Sequence, residues 1–241
     1  MQGVRLKAMA MVPTYNESGN IERLIKEILA QGDDVGVVVV DDDSPDGTWK
    51  IVEEYSKRDP RVHLLRRIGR RGRGTAGIEG FQYAVKQGVE FIIEMDADFS
   101  HKPSYISSFL KEMKDCDLLI GSRMVKGGGE RGRGPLRQLI TKGANLYIRL
   151  MLGLPYKDAT SGFRIFRREV FEAVDLNNLI STGPSILQEI LYMAHRKGFR
   201  IKEVPIIFED RTVGQSTFNS KVMRQSLMMI PRIRGRYSNY K

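Results

Sequence analysis

The stretch that most limits how this chain can fold is Val35-Gly-Val-Val-Val-Val40, an uninterrupted apolar run that stops on Asp41-Asp42-Asp43. Such a run wants burial along its whole length and on both sides, which is how strands of a parallel sheet are placed, with helices over each face. Two other segments follow the same plan. Leu6–Val12 is halted by Pro13-Thr14-Tyr15-Asn16-Glu17, and Phe91-Ile92-Ile93-Glu94-Met95 runs into Asp96-Ala97-Asp98-Phe99-Ser100-His101. Between them, Ile21, Leu24, Ile25, Ile28 and Leu29 recur at helical spacing. A second helix is expected over 48–57 and a short strand over Val62–Leu65. This βαβαβ order predicts an α/β fold, a Rossmann-like, mostly parallel sheet flanked by helices. A length of 241 residues suits a single domain.

In sheets of this kind ligands bind just beyond the carboxyl ends of the strands, and the three polar clusters would share that edge. Any one Asp there could be ordinary turn or cap chemistry, but that explanation serves three converging clusters poorly. Tyr15 can stack on a base and Asp41 can accept from a base N–H. A hard divalent cation on Asp96 and Asp98 can bridge a diphosphate. Together these describe a nucleotide-diphosphate site. Gly72-Arg73-Gly74-Thr75-Ala76-Gly77 opens a helix expected over 75–87, where glycine lets backbone approach phosphate and the helix N-terminus supplies donors. It lacks the place and pattern of a dinucleotide fingerprint, and a flexible basic loop is the competing reading.

The second half reads as a helix over 103–114, a strand Asp117–Ile120 closing on Gly121-Ser122-Arg123, and a Gly/Arg-rich loop, 126–134, of the kind that forms mobile lids. A long helix over 136–152, an extended segment 158–166, a helix over 185–197 and a strand 201–208 follow, then a helical tail over 220–233. The formal net charge of +10 suits a polyanionic partner. No recognition-helix, zinc-finger or RNA-binding signature is present, so nucleic acid is not expected. Phosphorylated substrates and an anionic membrane surface remain. Arg123, Arg131, Arg133, Arg137, Lys142 and Arg211 are phosphate-binding candidates, since arginine holds phosphate bidentately and stays charged; at least half should simply be solvated. His101 reads as supporting or structural, and His63 and His195 as ordinary. The lone Cys116 excludes an intrachain disulfide. No signal peptide opens the chain, and no window reaches the roughly 18 apolar residues of a spanning helix.

The motifs Pro-Thr-Tyr-Asn-Glu (13–17), Asp-Asp-Asp-Ser-Pro-Asp-Gly-Thr (41–48), Gly-Arg-Gly-Thr-Ala (72–76), Asp-Ala-Asp-Phe-Ser-His (96–101), Gly-Ser-Arg (121–123), Thr-Ser-Gly-Phe-Arg (160–164) and Glu-Val-Pro-Ile (203–206) occur in that order, with Asp-Arg (210–211) closing the set. In this the chain resembles the inverting GT-A glycosyltransferases of family 2, in the dolichol-phosphate (polyprenol-phosphate) mannose synthase branch, over about residues 6–222. The resemblance implies a GDP-mannose donor and a polyprenyl (dolichyl) phosphate acceptor. Pro13, Tyr15, Glu17 and Asp41 would hold the nucleoside, with Asp43, Gly74, Ala76 and Ala97 beside them and Ser161 and Gly162 lining the sugar side. Asp96 and Asp98 would carry Mg²⁺ or Mn²⁺. Ser100, where relatives often have Gln, is the third candidate ligand, with water as its substitute. Arg123, Arg137, Thr141 and Arg211 would take the lipid phosphate, and Asp98, Arg123 and Arg211 would be the catalytic set. The Gly-X-Ser-Lys usual near the end reads Gly214-Gln-Ser-Thr217 here, with Lys221 four residues later.

Residues 1–219 would be the catalytic domain. The tail, 220–241, is basic and amphipathic and reads either as a membrane-interface anchor or as a helix packed on the core. The expected location is cytoplasmic, peripheral on the cytoplasmic face of a membrane, and a separate membrane-subunit partner would fit as well. The runner-up functions are a UDP-glucose-dependent polyprenyl-phosphate transferase and a family 2 enzyme with a saccharide acceptor, whose base could only be Glu189 or Asp158. The reading outside enzymes is an anion- or nucleotide-binding module.

Overall fold

The apolar runs and amphipathic segments fold in the predicted order. The computed structural model describes residues 5–210 and 220–238. Strands β1 (Ala8–Thr14), β2 (Val35–Asp41) and β3 (Val62–Arg66) alternate with helices α1 (Ile21–Leu29) and α2 (Thr48–Ser56); then come α3 (Arg73–Lys86) and β4 (Phe91–Glu94). All four strands run parallel, in the order β3-β2-β1-β4. The Val35–Val40 run is buried on both sides, as its composition demands. Val37 and Val39 join the core layer under α1 and α2, while Val38 and Val40 join the opposite layer under α3. Each such side chain contributes about 1.5–3 kcal/mol on burial, so a register slip that exchanged the faces would also have to bury the polar strand ends.

The rest of the sheet departs from a simple parallel continuation. After α4 (Ile106–Glu112), β5 (Leu118–Ser122), β6 (Gly129–Arg131) and α5 (Pro135–Leu152), the segment expected to be extended over 158–166 supplies β7 (Arg164–Arg167). β7 inserts antiparallel between β4 and β5. α6 (Arg168–Ala173), α7 (Ile186–Arg196), β8 (Ile201–Pro205), β9 (Ile207–Glu209) and α8 (Ser220–Tyr237) complete the fold, and the seven-stranded order is β3-β2-β1-β4-β7-β5-β8.

The single strand expected over 201–208 is two. β8 pairs with β5, and β9 pairs with β6 from the expected lid to form a separate ribbon. The break falls at Pro205, which has no N–H to continue a ladder; the next donor, Ile206 N, reaches Ser122 O at 3.0 Å. The helix expected over 103–114 starts as a 3₁₀ turn, Pro103–Tyr105, before α4. Neither α6 nor the 3₁₀ turn Leu176–Asn178 is long enough to leave a period in the sequence.

α8 packs on α5 and α7. Ile230, Ile233 and Tyr237 are buried there, so the apolar face of its C-terminal half faces the protein, while Met228 is exposed. α5 carries an outward apolar stripe: Leu136, Leu139, Ile140, Leu146 and Leu150 are all exposed. No helix among the described residues is long and apolar enough to cross a membrane.

Candidate active site

Register sets the shape of the site. Thr14 lies opposite Asp41, whereas β4 stops at Glu94, opposite Met11. The Asp96–His101 segment therefore lies beyond the strand, as a loop past its carboxyl end. Each of the three acidic or polar loops on this edge carries one residue in the left-handed region, Asn16 (φ 60°), Asp43 (φ 55°) and Phe99 (φ 59°), and these are the only such non-glycine residues among those described. Backbone strain of this kind, about 1–3 kcal/mol per residue, gathers at functional edges where the surroundings enforce it.

On the β1–β2 side the loops are tied to each other. Asp41 is fully buried; it accepts from Thr14 Oγ1 at 2.9 Å, Ser44 N at 2.8 Å and Ser44 Oγ at 2.7 Å. Its expected contact with a base is thus not presented in this form, because its oxygens hold the turn. Asn16 N reaches Ser44 Oγ and Glu17 N reaches Thr48 Oγ1, each at 3.0 Å. Tyr15 is accessible, with the Arg71 guanidinium 4.1 Å from its ring centroid and hydrogen bonded to its hydroxyl. Asp43 pairs with Arg66 at 2.6 Å, and Arg66 lies 3.4 Å from the Trp49 ring centroid. Sequence reading passed over Asp42 and Arg67, which form a buried pair at 2.7 Å. Asp42 also accepts from Gly72 N and Arg67 donates to Thr75 Oγ1, which fixes the Arg/Gly loop at the start of α3. A Cβ on Gly74 would sit 2.4 Å from Thr182 O, so the loop 180–184 closes directly on that turn.

At the centre, Asp96 is about a third exposed; it pairs with Arg73 at 2.6 Å and lies 3.8 Å from His101 Nδ1. Asp98, largely buried, accepts from Ser100 N at 3.0 Å. Ser100 Oγ, His101 Nδ1 and Glu94 Oε2 are buried and have no hydrogen-bond partner. Burial pushes the Glu94 carboxyl up to about 7, against the pull of Arg73 and Arg164. Burial likewise holds His101 below the usual imidazole range, and its ring stacks on Phe163 at 5.4 Å. A Cβ on Gly162 would meet Arg73 Nη2 at 3.2 Å and Asp96 Oδ2 at 3.3 Å, so backbone here approaches the acidic loop closely. Ser161 instead points inward, its Oγ donating to Gly121 O at 2.5 Å. Its hydroxyl is therefore engaged within the protein, while Gly162 is the residue of the pair that lies against the acidic loop. Below it, Arg164 is fully buried and donates to the carbonyls of Ser161, Leu187 and Ala159.

Among the described residues no group of three His, Cys, Asp or Glu side chains could enclose a metal ion. The donor set nevertheless suits Mg²⁺ or Mn²⁺. Two carboxylates and an unpartnered buried hydroxyl are hard oxygen donors, and Mg²⁺ is usually bound by one or two carboxylates with waters and substrate phosphates completing the shell.

Opposite this loop, past the end of β5, lies a basic cluster. Arg123 is tied to Asp158 through Nε and Nη2, both at 2.7 Å, to Thr160 Oγ1 at 2.6 Å and to Glu130 at 3.3 Å. Arg133, from the β6 loop, reaches Glu130 at 2.9 Å and Thr141 Oγ1 at 3.1 Å. The structure thus brings Arg123, Thr141 and Arg133 together. Arg137 sits apart and exposed, paired with Asp210 at 3.2 Å. Arg211 and Gly214–Thr217 lie outside the described residues. Arg123 and its hydrogen bonds hold the Asp158 carboxyl down at about 2, although burial alone would raise it. Glu189, fully buried, accepts from Ile180 N, Ser181 N and Tyr237 Oη. Neither acid is placed to serve as the base a saccharide hydroxyl needs.

The architecture defines the class first. A mostly parallel sheet with an Asp-X-Asp loop at its carboxyl edge is the GT-A fold, and solved GT-A enzymes superpose on it. Glucosyl-3-phosphoglycerate synthase from Mycobacterium tuberculosis in complex with phosphoglyceric acid does so with TM-score 0.70 at 17% identity, over 95% of this chain and 80% of that one. The same enzyme with Mn²⁺, UDP-glucose and phosphoglyceric acid gives a TM-score of 0.70, also at 17% identity, over 95% and 80% of the two chains.

Residues 10–175 match the family model for glycosyl transferase family 2, and the chain belongs to that family. It is similar to the polyprenol monophosphomannose synthase of Mycolicibacterium smegmatis, 37% identical over 95% of this chain and 88% of the relative. The undecaprenyl-phosphate mannosyltransferase of Micrococcus luteus is 34% identical over 94% and 93% of the two chains. The dolichol-phosphate mannosyltransferase of Pyrococcus furiosus is 40% identical over 95% of this chain but only 64% of its own length.

Proposed function

We propose that this glycosyltransferase moves mannose from GDP-mannose to a polyprenyl phosphate, inverting the anomeric carbon, at a membrane surface. The observation that supports the reading is the nearness of two clusters, the acidic loop Asp96–His101 and the basic group Arg123, Arg133 and Thr141, joined through Phe208, which lies 5.5 Å from His101, Arg123 and Arg133. Among the described residues the acids of the basic group, Glu130 and Asp158, are both engaged by arginines. A phosphate acceptor needs no general base, because its second pKa of about 6 leaves it largely dianionic at neutral pH. The names of the three relatives point to the same acceptor class and sugar.

In this reading Tyr15 stacks on the base, and Pro13, Glu17, Asp41 and Asp43 shape its pocket. The turn at Gly74 and Ala76 admits the diphosphate beside Ala97. Asp96 and Asp98, with Ser100 Oγ or water, hold the metal; when bound, Mg²⁺ or Mn²⁺ neutralises charge on the departing nucleoside diphosphate. Gly162 keeps the sugar side open. Arg123 and Thr141, with Arg137 from the rim and Arg211 from the sequence motif, receive the acceptor phosphate and aim one oxygen at the anomeric carbon. Bringing two anions together is the main electrostatic task, and fixed arginines and the metal perform it.

The lipid tail sets the direction of approach. α5 bears Thr141 on its buried face and the Leu136, Leu139, Ile140, Leu146 and Leu150 stripe on its outer one. An amphipathic helix of this kind can lie in a lipid interface, aided by attraction of basic residues to anionic headgroups. In this reading the polyprenyl chain lies in the bilayer and its phosphate beside Arg123. The face concerned would be the cytoplasmic one.

The test is calorimetry with GDP-mannose, UDP-glucose and GDP, each with and without Mn²⁺. The expected result is Mn²⁺-dependent binding of GDP-mannose and GDP, with UDP-glucose at least tenfold weaker. Preference for UDP-glucose would reject the donor, and absence of binding by all three to folded protein would reject the enzyme reading.

A further inference from the structure

Three acids, Glu94, Asp96 and Asp98, crowd the central loop, and like charges so placed oppose one another's ionisation. The cation beside them in the chain itself is Arg73. Its Nη2 lies 2.6 Å from Asp96 Oδ1 and 3.8 Å from Glu94 Oε1, and Asp98 also adds to the field that keeps it charged. Its backbone cannot retreat. It opens α3 one residue before Gly74, which is pressed against the Thr182 carbonyl, and its guanidinium lies against Gly162. The side chain is nonetheless about a third exposed. This differs from the two structural arginines nearby. Arg67 is almost wholly buried and bridges Asp42, Gly72 and Thr75, and Arg164 is fully buried and spans three carbonyls. Those two hold protein to protein, whereas Arg73 holds the carboxylate that a metal would need.

We propose that Arg73 is a resident counter-ion for the acidic loop. Its guanidinium lies against the Asp96 carboxylate that a divalent cation would claim, and it would have to swing aside for the metal to bind. Once displaced, and still tethered at the start of α3, it would be available to a donor diphosphate as a second positive group beside the metal that Asp96 and Asp98 would hold. Metal entry and donor binding are thereby linked, because the cost of moving Arg73 off Asp96 is offset when a diphosphate is there to receive it. The proposal rests on the metal-bearing donor site described above.

The experiment is Mn²⁺ calorimetry without nucleotide, then with saturating GDP, on the unaltered protein and on Arg73→Leu, Arg73→Gln and Arg73→Lys, with circular dichroism checking the fold. An exposed ion pair at the upper end of its usual worth corresponds to about a fivefold change in affinity. Without nucleotide, the Leu and Gln variants should therefore bind Mn²⁺ at least about fivefold tighter, with Arg73→Lys within twofold of the unaltered protein. With GDP the gap should close. Equal or weaker Mn²⁺ binding by folded Leu and Gln variants overturns the proposal while leaving the metal site standing. No Mn²⁺ binding by any of the four proteins, with or without GDP, overturns the metal reading and the proposal together. A second measurement does not depend on the Leu and Gln variants folding. The arginine Nε–Hε resonance that Arg73→Lys removes should shift when Mg²⁺ is added to the unaltered protein, and an unmoved resonance at saturating Mg²⁺ also overturns the proposal.

Discussion

Asp158→Asn is the most exacting test of the acceptor side, because it changes one charge and almost no volume. Asp158 is fully buried, and both its oxygens are committed. Oδ1 accepts from Arg123 Nη2 at 2.7 Å, Thr160 Oγ1 at 3.1 Å and Asn145 Nδ2 at 3.3 Å, and Oδ2 accepts from Arg123 N at 2.9 Å and Nε at 2.7 Å. A carboxyl brought from 3.8 to about 2 is worth on the order of 2 kcal/mol at 1.36 kcal/mol per pH unit. The variant also puts an amide N–H₂ where donors converge and leaves Arg123 charged and nearly buried, and breaking a buried pair from one side costs about 3–5 kcal/mol. We therefore expect a loss of about 2–5 kcal/mol in urea unfolding at pH 7.

The pH dependence has a definite sign. A carboxylate depressed in the folded state contributes its full stability above its ordinary value of 3.8 and loses it as pH falls towards about 2. The gap between the unaltered protein and the variant should therefore hold from pH 7 to pH 5, and the linked part of it should fall to about half at pH 3. A loss below 1 kcal/mol at pH 7, or a gap that does not narrow at pH 3, would refute the assignment of Asp158 as the anchor of Arg123.

Four further outcomes follow from the geometry. Asp98→Ala should lower metal-dependent mannosyl transfer at least a hundredfold with the fold intact by circular dichroism; retained activity would remove Asp98 from the metal site. Gly74→Ala should cost about 1–3 kcal/mol in thermal unfolding, the usual range for overpacking, since the new Cβ meets the Thr182 and Gly183 backbone at 2.4–2.7 Å; unchanged stability would show that the 180–184 loop yields. Arg164→Met, which strips the donors from three buried carbonyls and leaves Glu94 short of a cation, should cost about 3–5 kcal/mol; a loss under 1 kcal/mol would mean that Glu94 is protonated and the cavity accepts methionine. Paired Leu139→Asp and Leu146→Asp should weaken flotation with anionic vesicles about tenfold while leaving GDP binding unchanged; undiminished flotation would move the membrane contact away from α5.

What the sequence revealed, and what it hid, divides along a physical line. The parallel half was legible because each strand is a local apolar run ended by local polar residues, so burial, direction and the ligand edge all follow from short segments. The acidic loop was legible for the same reason: Asp96 and Asp98 break an apolar strand within a few positions. β7 was not, because nothing in Arg164–Arg167 says which neighbours it enters between; its antiparallel insertion depends on partners over forty residues away in the chain. Pro205, which parts β8 from β9, was in plain view, but its consequence depended on β6 lying alongside.

The site divides in the same way. Arginines could be counted and their affinity for phosphate inferred, but their number does not say which are already engaged. Arg123 is held by Asp158, Arg67 by Asp42 and Arg164 by backbone carbonyls, while Arg137 stands exposed at the rim. The same chemistry that lets guanidinium bind a substrate phosphate lets it bind the protein's own carboxylates, and only the fold decides between them. Arg73 lies between these cases. Its partner is internal, yet that partner is the group a metal would claim, so the residue that neutralises the acidic loop is the one that we propose metal binding has to move.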